Sequence, residues 1–257
     1  MKTNNSSIQF TVNFNYFAIA VTTLFVVSAS IFLTSAAAFA QNRSTTPAPR
    51  GDGGWCSRFV ASIVQMDKGD IDLLMIGDSI THGWDNPAGK KVWEKYYARR
   101  KPINLGISGD QTQHVIWRLD HLPLNKINPK AAVIMIGTNN IGYNPASPEE
   151  TADGIKIIVD RLKKQYPEIK IIVLHVFPRD EKPDGKLRKK IEEINALLPN
   201  LFKTEKNVKL LDINKVFLDE NNVLPKSIMP DGLHPNENGY KLWAEALEPS
   251  LVEIFGN

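Results

Sequence analysis

Five short apolar runs, each closed by turn residues, punctuate this chain at residues 72–76, 102–105, 131–136, 170–176 and 208–213. Runs of that length with no polar alternation suit strands covered on both faces, as in a parallel sheet. Longer amphipathic stretches separate them. Residues 111–122 carry Val115, Ile116 and Leu119 at helical spacing, and residues 149–165 carry Ile155, Ile158, Val159 and Leu162. Residues 186–201 and 236–255 add two more helices. Five strands alternating with helices predict a doubly wound α/β sandwich and exclude a barrel of eight repeats. Neither an internal repeat nor a second domain is visible.

The first 40 residues stand apart from this pattern. Their one charged residue is Lys2, an apolar run extends over residues 16–33, and the segment closes on Ala38-Phe39-Ala40. That is the layout of a secretory signal peptide cleaved before Gln41, which leaves a secreted or periplasmic protein with no stable membrane insertion. An uncleaved anchor is the rival reading, because 18 residues approach a spanning length. Residues 41–54, rich in Pro, Gly and polar side chains, read as a flexible lead-in, with the folded domain at 55–257. Within it, Gly51-Asp52-Gly53-Gly54 lacks the preceding strand and following Lys of a phosphate loop.

Without residues 1–40 the net charge drops from +3 to about +2, since Lys2 alone is lost. That balance favours neither nucleic acid nor an anionic surface. A single cysteine, Cys56, allows no internal disulfide and reads as a partly buried packing residue.

The chemistry collects where the strands end, which is where open α/β sheets bind ligands. Gly77-Asp78-Ser79 follows the first run, Leu105-Gly106-Ile107-Ser108-Gly109 the second, and Gly137-Thr138-Asn139-Asn140 the third. Near the C-terminus stands Asp231-Gly232-Leu233-His234-Pro235. A serine hydroxyl needs an imidazole to take its proton and a carboxylate to orient that imidazole. Ser79, His234 and Asp231 supply the three. The backbone N–H groups of Ser79 and Gly106 and the side-chain amide of Asn139 are the expected oxyanion donors. Residue 81 is Thr, so the G-x-S-x-G nucleophile elbow is absent.

With its four ordered blocks, Gly77-Asp78-Ser79, Gly106, Gly137-Thr138-Asn139 and Asp231-x-x-His234, the chain resembles the SGNH (GDSL-type) hydrolases over residues 70–255. The resemblance implies a flavodoxin-like three-layer α/β/α fold with a five-stranded parallel sheet. It also implies a metal-free, cofactor-free serine esterase with Ser79, Asp231 and His234 as triad. Three stretches are similar to the platelet-activating-factor acetylhydrolase subgroup: Asn104-Leu105-Gly106-Ile107-Ser108-Gly109-Asp110, His114-Val115-Ile116-Trp117-Arg118-Leu119 and Pro178-Arg179-Asp180-Glu181-Lys182-Pro183. Exported relatives are often carbohydrate O-acetylesterases, so the expected partner is a small acylated substrate, an acetylated sugar or other short-chain ester. A lipid ester, acyl transfer through the same acyl-enzyme, and a silent glycan-binding module are the alternatives. A homodimer is left open.

Other candidates divide between pocket and packing. Trp84 and Tyr143 follow catalytic loops and are candidates to stack on substrate, and His82, three residues past Ser79, is a candidate pocket-lining residue. Asp78 is expected to make a structural hydrogen bond. His114, His121 and His175 read as packing or surface residues, and no pair of histidines has zinc-ligand spacing. An imidazole base, with a reference pKa near 6.5, makes activity rise through about pH 6–7.5.

Overall fold

The computed structural model describes residues 42–142 and 146–256; the expected signal segment and Tyr143 lie outside them. Strands β1 (Leu73–Gly77), β2 (Pro102–Gly106), β3 (Ala131–Met135), β4 (Lys170–Leu174) and β5 (Val208–Leu211) form one all-parallel sheet in the order β2-β1-β3-β4-β5. Every residue of β1 and β3 is buried. The unbroken apolar runs therefore reflect a sheet covered on both faces.

Alternation along each strand sorts side chains into two cores. Leu74 and Ile76 of β1 and Ala132 and Ile134 of β3 pack with Val115, Ile155, Ile158 and Ile194. These come from helices α4 (Thr112–His121), α6 (Pro148–Gln165) and α7 (Lys186–Phe202). Leu73, Met75 and Val133 face the opposite way, onto Val92 of α3 (Pro87–Tyr96) and Trp243 and Leu247 of α8 (Glu237–Phe255). The result is the expected three-layer α/β/α sandwich. Two short helices, α2 (Ser79–His82) and α5 (Thr138–Gly142), leave β1 and β3 directly. The strand order reverses at β1, so the β1 and β3 loops open a crevice at the carboxyl edge of the sheet.

Residues 42–54 overturn one expectation: the flexible lead-in is a packed segment. Ser44 is buried, its carbonyl accepts from Thr112 Oγ1 at 2.7 Å and its hydroxyl accepts from Asn140 Nδ2 at 3.0 Å. The chain then enters an unanticipated helix, α1 (Gly53–Met66), capped by Asp52, whose Oδ1 accepts the Trp55 N–H at 2.9 Å. The cap was hidden among glycines that read as loop. Trp55 and Met66 bury against the domain, so the packed structure includes residues 42–54 as well as 55 onward. Cys56 is exposed on α1, not partly buried. No helix among the described residues is long and apolar enough to cross a membrane.

Candidate active site

Ser79 is the first residue of α2. Asp78 caps that helix by accepting the Ile80 N–H at 3.0 Å, which leaves the Ser79 N–H without an intrahelical partner. The turn is tight because Gly77 leaves no space for a Cβ against Thr81 and the Met135 carbonyl. Tyr240 of α8 donates its hydroxyl to the Ile80 carbonyl at 2.7 Å, tying the serine helix to the far layer. The same α8 begins at the Asn236 cap, directly after His234-Pro235, so one helix registers both the serine and the histidine.

Ser79 Oγ lies 2.8 Å from His234 Nε2, and His234 Nδ1 lies 2.6 Å from Asp231 Oδ2. A carboxylate only accepts, so Nδ1 carries the proton and Nε2 is free to take the serine's. Asp231 Oδ1 accepts the Leu233 and His234 N–H groups at 3.0 and 2.7 Å. Burial raises the Asp231 pKa, but these backbone bonds and the histidine contacts outweigh it, and the net shift is downward. The loop is held from behind by Arg188, a buried guanidinium that donates to the carbonyls of Arg179 (2.8 Å), Asp180 (2.6 Å) and Asn222 (3.2 Å). Asp180 in turn donates its N–H to the Gly232 carbonyl at 3.1 Å.

On the oxyanion side the geometry departs from expectation at one residue. The Gly106 N–H is already taken up by Asn104 Oδ1 at 2.9 Å, so Gly106 is not the free donor. Ile107 donates to the Gly77 carbonyl, Ser108 to His82 Nδ1 and Asp110 to the Ile107 carbonyl. Gly109 has the one N–H of residues 106–110 without a partner among the described residues. Its φ of +80° is a conformation suited to glycine. Ser108 on one side bonds the serine helix, and Asp110 on the other accepts Asn139 Nδ2 at 2.9 Å. Gly109 therefore sits between the serine helix and Asn139. The Asn139 amide keeps its second hydrogen for the site. The signal was present in the sequence as the second glycine of Gly106-Ile107-Ser108-Gly109; only the backbone shows which of the two is free.

His82 is brought to this edge. Its Nδ1 accepts from the Ser108 N–H (3.3 Å) and hydroxyl (2.9 Å), which places the ring proton on Nε2. Burial, then nearby Arg58, depresses its pKa. Trp84 is a correction: it is fully buried, with ring centroids 4.5–5.2 Å from Tyr240, Trp243 and Tyr97, and cannot stack on substrate. Trp84 follows α2 on the 3-10 turn Gly83–Asp85, which carries its indole into the core. Asp78 is structural as expected, and burial pushes its carboxyl up to about 7.

The parallel sheet thus carries a serine, an imidazole and a carboxylate hydrogen-bonded in line at its carboxyl edge. The chain belongs to the GDSL-like lipase/acylhydrolase family, whose sequence pattern matches residues 75–242, and it is a hydrolase acting on ester bonds. It is 33% identical over 205 residues to the rat platelet-activating factor acetylhydrolase IB subunit alpha2, covering 80% of this chain and 86% of that one. The fold is shared with a GDSL-like lipase from Bacteroides thetaiotaomicron (TM-score 0.61, 22% identity, 77% and 96% covered). It is also shared with a carbohydrate esterase family 3 protein from Talaromyces cellulolyticus (TM-score 0.53, 18% identity, 71% and 97% covered).

Proposed function

We propose that this chain is an exported serine esterase that removes a short acyl group, acetyl above all, from a carbohydrate or a similarly polar alcohol. The line Ser79–His234–Asp231, at 2.8 and 2.6 Å, carries the reading. His234 takes the Ser79 proton as Oγ attacks the ester carbonyl. The oxyanion is met by the N–H groups of Ser79 and Gly109 and by the Asn139 amide. His234 then protonates the departing alcohol, and water resolves the acyl-enzyme by the same proton transfers in reverse.

A polar alcohol is favoured by what surrounds these groups. His82, the last residue of the serine helix, has its Nδ1 held by Ser108, which leaves Nε2–H as a polar donor at this edge. The acetyl preference and a lipid substrate are both suggested by the acetylhydrolase relatives. Acetate release from acetylated xylan and from an sn-2-acetyl phospholipid, with Ser79→Ala as blank, separates the two. Release mainly from glycan supports the carbohydrate reading, and release mainly from the lipid replaces it. Turnover equal to the blank on both would refute an esterase. Export predicts a mature N-terminus at Gln41, which terminal sequencing of protein from the medium or periplasm checks.

A further inference from the structure

Resting on the esterase reading above, we infer that Arg50, in the segment preceding α1, is a positioning residue that locks the oxyanion-binding peptide between Ser108 and Gly109. Arg50 Nη1 donates to the Ser108 carbonyl at 2.6 Å. That carbonyl belongs to the same peptide unit as the Gly109 N–H, and the two point in opposite directions. Whatever holds the oxygen outward therefore holds the N–H inward.

The lock matters because this peptide has a cheap alternative. Glycine populates positive and negative φ with similar ease, so a flip of the Ser108–Gly109 unit meets little intrinsic resistance. After a flip the Ser108 carbonyl would face the oxyanion, and a donor would become a repelling acceptor. Arg50 rewards only the catalytic orientation, with a charge-assisted bond that also polarises the peptide toward stronger donation from its N–H. The guanidinium also occupies the space beside Gly109: a Cβ there would lie 2.9 Å from Arg50 Nη1.

Arg50 is itself held in place. Its Nε and Nη2 both reach Asp52 Oδ2, at 3.0 and 2.8 Å, while Asp52 Oδ1 caps α1. Trp55 of that helix donates Nε1 to Asp110 Oδ1 at 2.8 Å, and the buried Asp110 carboxylate also takes Arg118 Nε at 2.9 Å. Asp110 carries the carbonyl that orients the Asn139 amide. One brace from residues 50–55 thus reaches both non-serine donors. It lies N-terminal to residues 75–242, the stretch that matches the family's sequence pattern.

The test compares Arg50→Met and Arg50→Lys with wild type, using p-nitrophenyl acetate for kcat and KM and a trifluoromethyl ketone whose hemiketal oxyanion occupies the hole. Loss of an oxyanion donor lowers rate by about 10²–10³. Arg50→Met is expected to lower kcat by about 10- to 100-fold with KM within about threefold, and to weaken the ketone by a similar factor. Arg50→Lys, which keeps one donor and the charge, recovers part of both. A kcat within twofold of wild type, a loss confined to KM, or unchanged ketone affinity would overturn the lock. The Gly109 amide resonance in ¹⁵N-labelled protein gives a readout independent of turnover. It should shift or double in Arg50→Met, and an unchanged resonance sinks the inference. If Arg50→Met fails to fold, Arg50→Lys and Arg50→Gln are judged by the same resonance and kinetics. Wild type indistinguishable from Ser79→Ala would sink the esterase reading instead, and the resonance would still decide the role of Arg50.

Discussion

Two aspartates flank the Ser79–His234 pair, and they live in opposite surroundings. Asp78 is fully buried beside the serine, at the end of a strand with no exposed residue, and burial pushes its carboxyl up to about 7. Asp231 lies on a loop with its side chain 56% exposed and that of His234 43% exposed, and its pKa moves down. The serine half is set by strand, helix and backbone contacts, with Asp78 and Asn139 buried and Ser79 and Gly109 half-buried. The histidine half is wet and set by loop-to-loop bonds through Arg188 and Asp180.

The largest effects should come from breaking the joint between the halves. Ser79→Ala and His234→Ala should each lower kcat by about 10⁶, and the double variant should be little worse, because the pair acts as a unit. Additive losses in steady-state kinetics would mean that the two residues act separately. Asp231→Asn comes next, with a loss of about 10³–10⁴ from the wrong imidazole tautomer. Asn139→Ala should cost about 10²–10³ in kcat with KM little changed, and a loss in KM alone would remove Asn139 from the oxyanion site.

The smallest effect sharpens the contrast between the aspartates, and it is read in stability. The Asp78 pKa is raised on folding from 3.8 to about 7, so the folded state holds its proton more tightly than the unfolded chain. The resulting stability is fully present below about pH 4 and is lost as pH rises through about 7. Asp78→Asn keeps the oxygen that caps Ile80 and has no proton to lose. Its melting temperature should match wild type near pH 4 and exceed it by about 3–8 °C at pH 8. Parallel melting curves across that range would show that the buried carboxylate is compensated. Asp231 should act with the opposite sign: its lowered pKa gives stability that is present at neutral pH and lost as pH falls through the folded value.

Much of this was readable from residue order. Five apolar runs dictated five buried strands, because a parallel sheet between helices has no polar face. Ser79, Asn139, Asp231 and His234 were visible because the chemistry proposed for them restricts residue type at each place. Trp84 misled for a plain reason: adjacency in sequence does not say which way a helix turns a side chain, and this one turns inward. Cys56 misled likewise, on a helix that was not foreseen.

What the chain order could not decide was how hydrogen bonds are allotted. Gly106 and Gly109 are equivalent as letters three positions apart, and only the fold shows that Asn104 takes the first N–H and leaves the second. Likewise, residues 42–54 have the composition of a linker, yet they pack because Ser44 finds a partner far along the chain at Thr112, and Arg50 at Ser108 and Asp110. Local composition sets the cost of ordering a segment. Whether distant partners repay that cost is a property of the tertiary structure alone.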